Sequence, residues 1–288
     1  MSGPTRPPPS RHGPVAQLLI ALSPLSLILL SYVLGDWIDG TIDVGGEGSQ
    51  VNRLGFGLSQ AGVAAAEQRV LGVVPSVWLQ EHLAGGGAHW WDAVASLVYV
   101  THFVSIPLLT LLVWFRLHDR YRAWLAAVLT FTAVGVAGYV VYPASPPWLA
   151  AQDGLIGPVD RISGLGWHYL HLVDVGEFFG SSQSRSNQIA AMPSLHAGSA
   201  MLVALFLWPV APRLWRAVLA GYVLLMALTL VYTGEHYVLD VLGGWVTALL
   251  AAAAGALSGG RRRLAVEDPD PAAAEHERAA APASGRGT

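Results

Sequence analysis

The chain predicts an all-α fold: an integral membrane bundle of six transmembrane helices with a long outer loop carrying an amphipathic helix. Three observations predict it. Of the 288 residues, 53% are hydrophobic and only 12% are charged, against about 25% charged in a soluble domain. The apolar residues are gathered into runs that match the ~20 positions needed to cross ~30 Å of hydrocarbon. The connections between those runs alternate between arginine-dense and arginine-poor, which is the pattern of loops on the two sides of a membrane.

The runs cover residues 15–34, 93–115, 124–141, 192–210, 214–231 and 238–257. Between them stand interfacial aromatics and helix breakers such as Trp90-Trp91 and Tyr142-Pro143. The first run resembles the core of a cleaved signal peptide. Its length and the lack of a small-x-small cleavage site favour a signal anchor instead. Arg6 and Arg11 precede the first run, Arg116, Arg120 and Arg122 follow the second, Arg213 and Arg216 follow the fourth, and Arg261 to Arg263 follow the sixth. The other connections are longer and hold only Arg53, Arg69, Arg161 and Arg185. Six spans with both termini cytoplasmic satisfy every loop, and a plasma-membrane protein with its long loops on the extracytoplasmic face is expected. The membrane domain then covers 14–258. The Pro- and Ser-rich residues 1–13 and the Ala-, Pro- and acid-rich residues 259–288 are expected to be disordered tails. Residues 60–83 of the first outer loop have helical spacing with scattered polar positions. They fit either an amphipathic surface helix or a helix packed over the bundle.

Composition also excludes chemistry. The chain has no cysteine, so disulfides, thiolate nucleophiles and thiolate metal sites are absent. All sixteen basic residues are arginine, and they form no stripe that suggests nucleic acid. His168 and His171 have the i, i+3 spacing of a metal pair, but no carboxylate stands at a firm spacing from them. No metal or other cofactor is expected. No paired repeat suggests a transporter, although a transporter or a non-catalytic membrane scaffold remains the rival class.

Three ionisable residues stand out in this apolar chain. The fourth run opens Met192-Pro193-Ser194-Leu195-His196, where Pro193 suits a first helical turn. The free amides and positive dipole end of that turn favour a phosphate. An interfacial histidine at an ordinary helix start is the bland alternative. The fifth connection reads Tyr232-Thr233-Gly234-Glu235-His236-Tyr237-Val238-Leu239-Asp240. His236 and Asp240, at i and i+4, share one helical face. The carboxylate can fix the ring tautomer and leave the other ring nitrogen with an outward lone pair. By the arginine topology His196 begins a span running inward, and His236 lies where the next span has returned outward. Both histidines belong at the outer face. In the second run Tyr99 and His102 share a face, and His102 lies deep enough to face the bundle, as a head-group contact or a bridge between helices.

Pro193-Ser194-Leu195-His196 followed by His236-x-x-x-Asp240 resembles the second and third motifs of the type-2 phosphatidic acid phosphatase superfamily. Tyr142-Pro143-Ala144-Ser145-Pro146-Pro147 and Tyr232-Thr233-Gly234-x-His236-Tyr237-x-x-Asp240 are similar to its inositol phosphorylceramide synthase branch. The resemblance implies a membrane lipid phosphatase or phosphotransferase acting on a lipid phosphate ester, with water or an alcohol such as inositol or another lipid as acceptor. It implies His236 as nucleophile through a phosphohistidine, His196 as acid and base, and Asp240 as the residue orienting His236. The superfamily's basic first motif is missing, its Ser-Arg pair is replaced by Thr229-Leu230, and Trp148 stands where the branch has arginine. Arg185 is the candidate that replaces this charge, with Asn187, Ser194, Tyr142 and His102 as further substrate-binding candidates.

Overall fold

Each long apolar run folds as helix, and the proline-, glycine- and serine-rich segments break the chain between them. The computed structural model describes residues 13–43, 49–183 and 187–267. In chain order its helices are α1 Pro14–Leu22, α2 Ser26–Asp39, α3 Gly62–Leu71, α4 Pro75–Leu83, α5 Trp90–Arg116, α6 Tyr121–Val141, α7 Pro147–Gln152, α8 Leu165–Tyr169, α9 Val173–Gln183, α10 Leu195–Leu207, α11 Arg213–Tyr232 and α12 Val238–Glu267. Among the described residues the only β pairing is three isolated bridges. α12 continues beyond the expected boundary at 258. The rest of the expected tails, 1–12 and 268–288, lies outside the described residues.

Five helical stretches are long and apolar enough to cross a membrane: Pro14–Asp39, Trp90–Arg116, His118–Val141, Arg213–Tyr232 and Val238–Ser258. The first joins α1 to α2 through a 3-10 turn at Ser23–Leu25, where Pro24 has no N–H to continue the ladder. The surface of the bundle is apolar, with Leu108, Leu224 and Leu250 exposed by 60%, 62% and 55%. That is the reverse of a soluble protein and suits contact with lipid tails.

The sixth expected span is shorter than the 192–210 run. α10 has 13 residues, or ~20 Å at ~1.5 Å per residue. Its position explains this. α10 is the central helix, packed against α5, α11 and α12, and its side chains enter both large core clusters. Irregular backbone at membrane depth is tolerated where protein surrounds it and its polar groups are paired. The lead-in to α10 meets that condition: the Ala144 N–H donates to the Ile189 carbonyl at 2.8 Å, and the Ser194 N–H donates to the Asp240 carbonyl at 2.8 Å. α12 lies so close to this lead-in that a Cβ on Gly244 would fall inside contact distance of the Ser194 carbonyl oxygen. Only glycine fits there.

The expected helix over 60–83 is two helices. Gly72, at φ +77, ends α3 in the left-handed region, and Pro75 starts α4. Neither simply lies on a surface. Gln80 of α4 donates from Nε2 to the carbonyls of Asp160 at 2.8 Å and Tyr232 at 2.9 Å, and its Oε1 accepts from the Asp160 N–H at 2.9 Å. It ties the connection between α7 and α8 to the end of α11. Glu67 of α3 is fully buried, and its Oε1 accepts from the Leu239 N–H at 3.0 Å. This caps one of the orphan amides at the start of α12.

Burial pushes the Glu67 carboxyl up to about 7 from 4.5, and the nearby Asp240 charge adds to the rise. A carboxyl raised in the folded state favours folding while protonated in the native protein. The Glu67 contribution is therefore complete below pH about 4.5 and lost as pH rises through about 7. We expect Glu67→Gln, which holds the neutral form at every pH, to raise the melting temperature in detergent at pH 8. The gain should shrink to nothing by pH 4.5. A constant difference across that window, read by intrinsic tryptophan fluorescence, contradicts this account.

Candidate active site

The two histidines meet because α10 and α12 begin at one point. Ser194 is the N-cap of α10, and its hydroxyl accepts from the Ala197 N–H at 3.3 Å. Its own N–H is held by the Asp240 carbonyl in the first turn of α12. Asp240 Oδ2 also reaches back to the Tyr237 N–H at 2.9 Å, which is half of a capping box. One carboxylate thus starts α12 and faces His236. Its Oδ2 lies 3.6 Å from His236 Nδ1, an ion-pair distance slightly longer than a closed hydrogen bond. On the far side of the ring, His236 Nε2 is 3.3 Å from His196 Nδ1. Asp240, His236 and His196 therefore stand in line, with Asp240 fully buried and His236 exposed by only 4%.

Further aromatic rings hold His196. Tyr99 stacks on it at 5.2 Å between centroids, and His102 meets it nearly edge-on at 3.8 Å. The His102 Nδ1 lies 2.8 Å from the Tyr99 carbonyl. A carbonyl only accepts, so Nδ1 carries the proton. All three histidines border a cavity of about 570 Å³, together with Tyr99, Trp148, Arg161 and Glu235 at its polar end.

The predicted site residues divide. His196, His236 and Asp240 come together, and His102 joins them. Asn187 borders the cavity, while its amide donates to Asp39 Oδ2 at 2.9 Å and its carbonyl oxygen accepts from the Ile189 N–H at 3.1 Å. The Ser194 side chain serves as a helix cap and is not among the residues bordering the cavity. Tyr142 is also outside that border. It is 42% exposed, and its hydroxyl pairs with Ser59 Oγ at 2.9 Å. Tyr142 closes α6, so its side chain follows the α3 side of the loop. Arg185 lies outside the described residues.

The group that sequence reasoning passed over is Arg161. Its Nε and Nη2 donate to the two oxygens of Glu235, each at 2.9 Å, and Ser163 Oγ donates to Glu235 Oε1 at 2.6 Å. Burial works against the Arg161 charge, but the adjoining Glu235 outweighs it and holds the guanidinium above its ordinary range. The guanidinium carbon stands 5.1 Å over the Trp148 ring. A cation thus lies on the face of Trp148, the position where the resemblance leads one to expect arginine, delivered from a different loop. The available signal was Glu235: a carboxylate beside His236 in so apolar a chain calls for a cation. Asp92 has a local role, since its Oδ2 accepts from the His89 N–H at 2.7 Å and its Oδ1 from the Tyr232 hydroxyl at 2.6 Å. Among the described residues no group of three or more His, Asp or Glu is arranged to hold a metal.

The profile of the PAP2 superfamily matches residues 63–254. The chain is 30% identical over 253 residues to a phosphoinositol dihydroceramide synthase of Bacteroides thetaiotaomicron, covering 82% of this chain and 76% of that protein. It is 34% identical over 154 residues to the inositol phosphorylceramide synthase catalytic subunit of Schizosaccharomyces pombe, and 26% identical over 174 to an inositol phosphorylceramide synthase of Candida albicans. Those matches cover 51% and 55% of this chain, but only 33% and 34% of the two fungal proteins. No solved structure matches the chain. On the profile match and the Bacteroides relative, the chain belongs to the PAP2 superfamily, in its inositol phosphorylceramide synthase-like branch, as a membrane enzyme of phosphatase or phosphotransferase type.

Proposed function

We propose that the protein moves a phosphorylated head group, of the phosphoinositol kind, from a lipid donor to a lipid alcohol through a phosphohistidine on His236. The observation that supports this most directly is the line Asp240–His236–His196, with gaps of 3.6 and 3.3 Å, at the polar end of a cavity whose other end is apolar. The names of the relatives, phosphoinositol dihydroceramide synthase and inositol phosphorylceramide synthase, support the substrate classes.

In this reading Asp240 holds the proton of His236 on Nδ1, so the Nε2 lone pair points at His196. The two rings stand 3.3 Å apart, and the phosphoryl group enters between them. Nε2 attacks phosphorus and the bond from phosphorus to the lipid oxygen breaks. His196 gives its proton to the departing oxygen. In the second half His196 takes the proton of the incoming hydroxyl, whose oxygen forms the new bond to phosphorus. The P–N bond breaks and its electron pair returns to Nε2. Two histidines in complementary roles suit such a cycle. Arg161 supplies the positive charge that a phosphoryl transition state requires. Glu235 holds it in place and tempers its net charge.

Purified protein given a radiolabelled phosphoinositol lipid should form an acid-labile, base-stable labelled protein, with EDTA present throughout. His236→Ala should abolish both the label and turnover, and label that persists in that variant eliminates His236 as the nucleophile. His196→Ala should slow both half-reactions by about two to four orders of magnitude, the typical contribution of general acid–base catalysis.

Arg161→Leu leaves Glu235 buried without its cation. Turnover should fall by at least the factor of ~10²–10³ that follows loss of one transition-state donor. The double variant Arg161→Leu with Glu235→Gln should recover the fold but not the rate. Recovery of the rate instead assigns the pair a purely structural role. We also place the site on the extracytoplasmic face from the arginine distribution. A reporter fused after Thr288 should then read as cytoplasmic, and an external signal reverses the placement.

A further inference from the structure

The mechanism above uses His196 and His236 and leaves the third histidine of the site without a task. His102 is half-buried, its Nδ1–H is held by the Tyr99 carbonyl, and its ring borders the cavity. In the neutral ring, Nε2 is then a lone pair with no proton. Such an atom repels a phosphate oxygen and attracts a hydroxyl or amide N–H. His102 is therefore unsuited to the donor's anionic head group and suited to a neutral polar head.

What adjoins it defines the rest of the ligand. Ile106, four residues further along α5, lies on the same helical face one turn deeper. From there the cavity wall is mostly apolar: Ile28, Phe103, Ile106, Val128 and Phe131 line it, alongside Tyr32, Thr132 and Tyr139. Leu29 and Phe103, which also line it, are 69% and 46% exposed, so this limb opens sideways, where lipid tails lie. At about 570 Å³ the whole cavity is in the usual range for a small-molecule site. The wall formed by Ile28 and Leu29 comes from the first span, and those positions precede the 63–254 region matched by the superfamily profile.

We propose that this limb is the seat of the acceptor lipid alcohol: its alkyl chain lies between α2, α5 and α6, and its head donates a hydrogen bond to His102 Nε2 beside His196. The assignment rests on the phosphotransferase reading and adds where the acceptor binds and which residues select it. His102 is an acceptor-binding residue that sets how the intermediate divides between alcohol and water. Water has no chain to fill the limb, so the limb raises transfer over hydrolysis.

The test measures that division. Full-length protein in phosphatidylcholine vesicles receives a phosphoinositol lipid with labelled inositol, plus a ceramide carrying either a long or a six-carbon acyl chain. The readout is the ratio of labelled acceptor lipid to free labelled inositol phosphate. Both products leave one intermediate, so poor folding or slow donor cleavage cancels from the ratio. His102→Leu should lower the ratio about tenfold, which corresponds to about 1.4 kcal/mol. His102→Gln, which restores an acceptor oxygen, should recover most of it. Ile28→Trp should lower the ratio for the long-chain acceptor and leave the short-chain ratio within twofold. Equal ratios in wild type and His102→Leu, or equal losses in the Leu and Gln variants, overturn the role of His102. Equal effects of Ile28→Trp on both chain lengths overturn the seat. A wild-type protein that releases only free inositol phosphate overturns the transferase reading itself, and this is seen before any variant is compared.

Discussion

The backbone hydrogen bond from the Ser194 N–H to the Asp240 carbonyl, 2.8 Å long, holds together the N-terminal ends of two helices. The Ser194 side chain caps α10 and the Asp240 side chain helps to cap α12. The same two residues that start the helices thus also join them. His196 follows Ser194 by two positions, and Asp240 follows His236 by four, so the bond places His196 and His236 within 3.3 Å of each other. It also needs Gly244, where a side chain would push α12 away from the Ser194 carbonyl. Other contacts of the site depend on this approach, because Tyr99 and His102 of α5 pack on His196 only while α10 holds its place.

Around that joint the protein buries several ionisable groups, and each has a local partner. Glu235 has Arg161 and Ser163, Asp92 has Tyr232 and the start of α5, and Glu67 has the start of α12. Breaking a buried pair leaves an uncompensated charge and costs far more than an exposed pair returns. These groups therefore work as location pins. They fix the connecting segments against the helix ends, and Gln80 does the same with neutral atoms. A phosphoryl-transfer site gains from such rigidity, since its electrostatic groups act without reorganising.

The helical architecture and the central trio were readable in the sequence for one reason. Both follow from periodic or short-range patterns: apolar runs near 20 residues, arginine-dense turns, and an i, i+4 His236–Asp240 spacing. The pairing of His196 with His236 is long-range, but topology alone put both at one end of the bundle. What sequence did not reveal depends on tertiary surroundings. The 192–210 run looks like a full span, yet α10 stops at 13 residues because protein, rather than lipid, encloses it. Tyr142 and Ser194 sit inside recognisable motifs, but one hydroxyl turns to Ser59 and the other caps a helix. Arg161 looked like one of several loop arginines. Only the fold brings it to Glu235 and over Trp148.

The position of α10 links these points to the choice between water and alcohol. A helix of ~20 Å that starts inside the bundle places its N-terminus below the loop end, and the connecting segments at that end then close over it. His236 and Asp240 are almost wholly buried, so in the proposed transfer water would have to reach His236 through a confined space. The proposed lipid alcohol, arriving sideways along the limb, would need no aqueous path. Shortening the central helix is thus what makes room for a recessed site, and in the proposed transfer such recession would favour a lipid acceptor over water. The same burial forces the compensating pairs, because every charge drawn down to the recess must bring its partner with it.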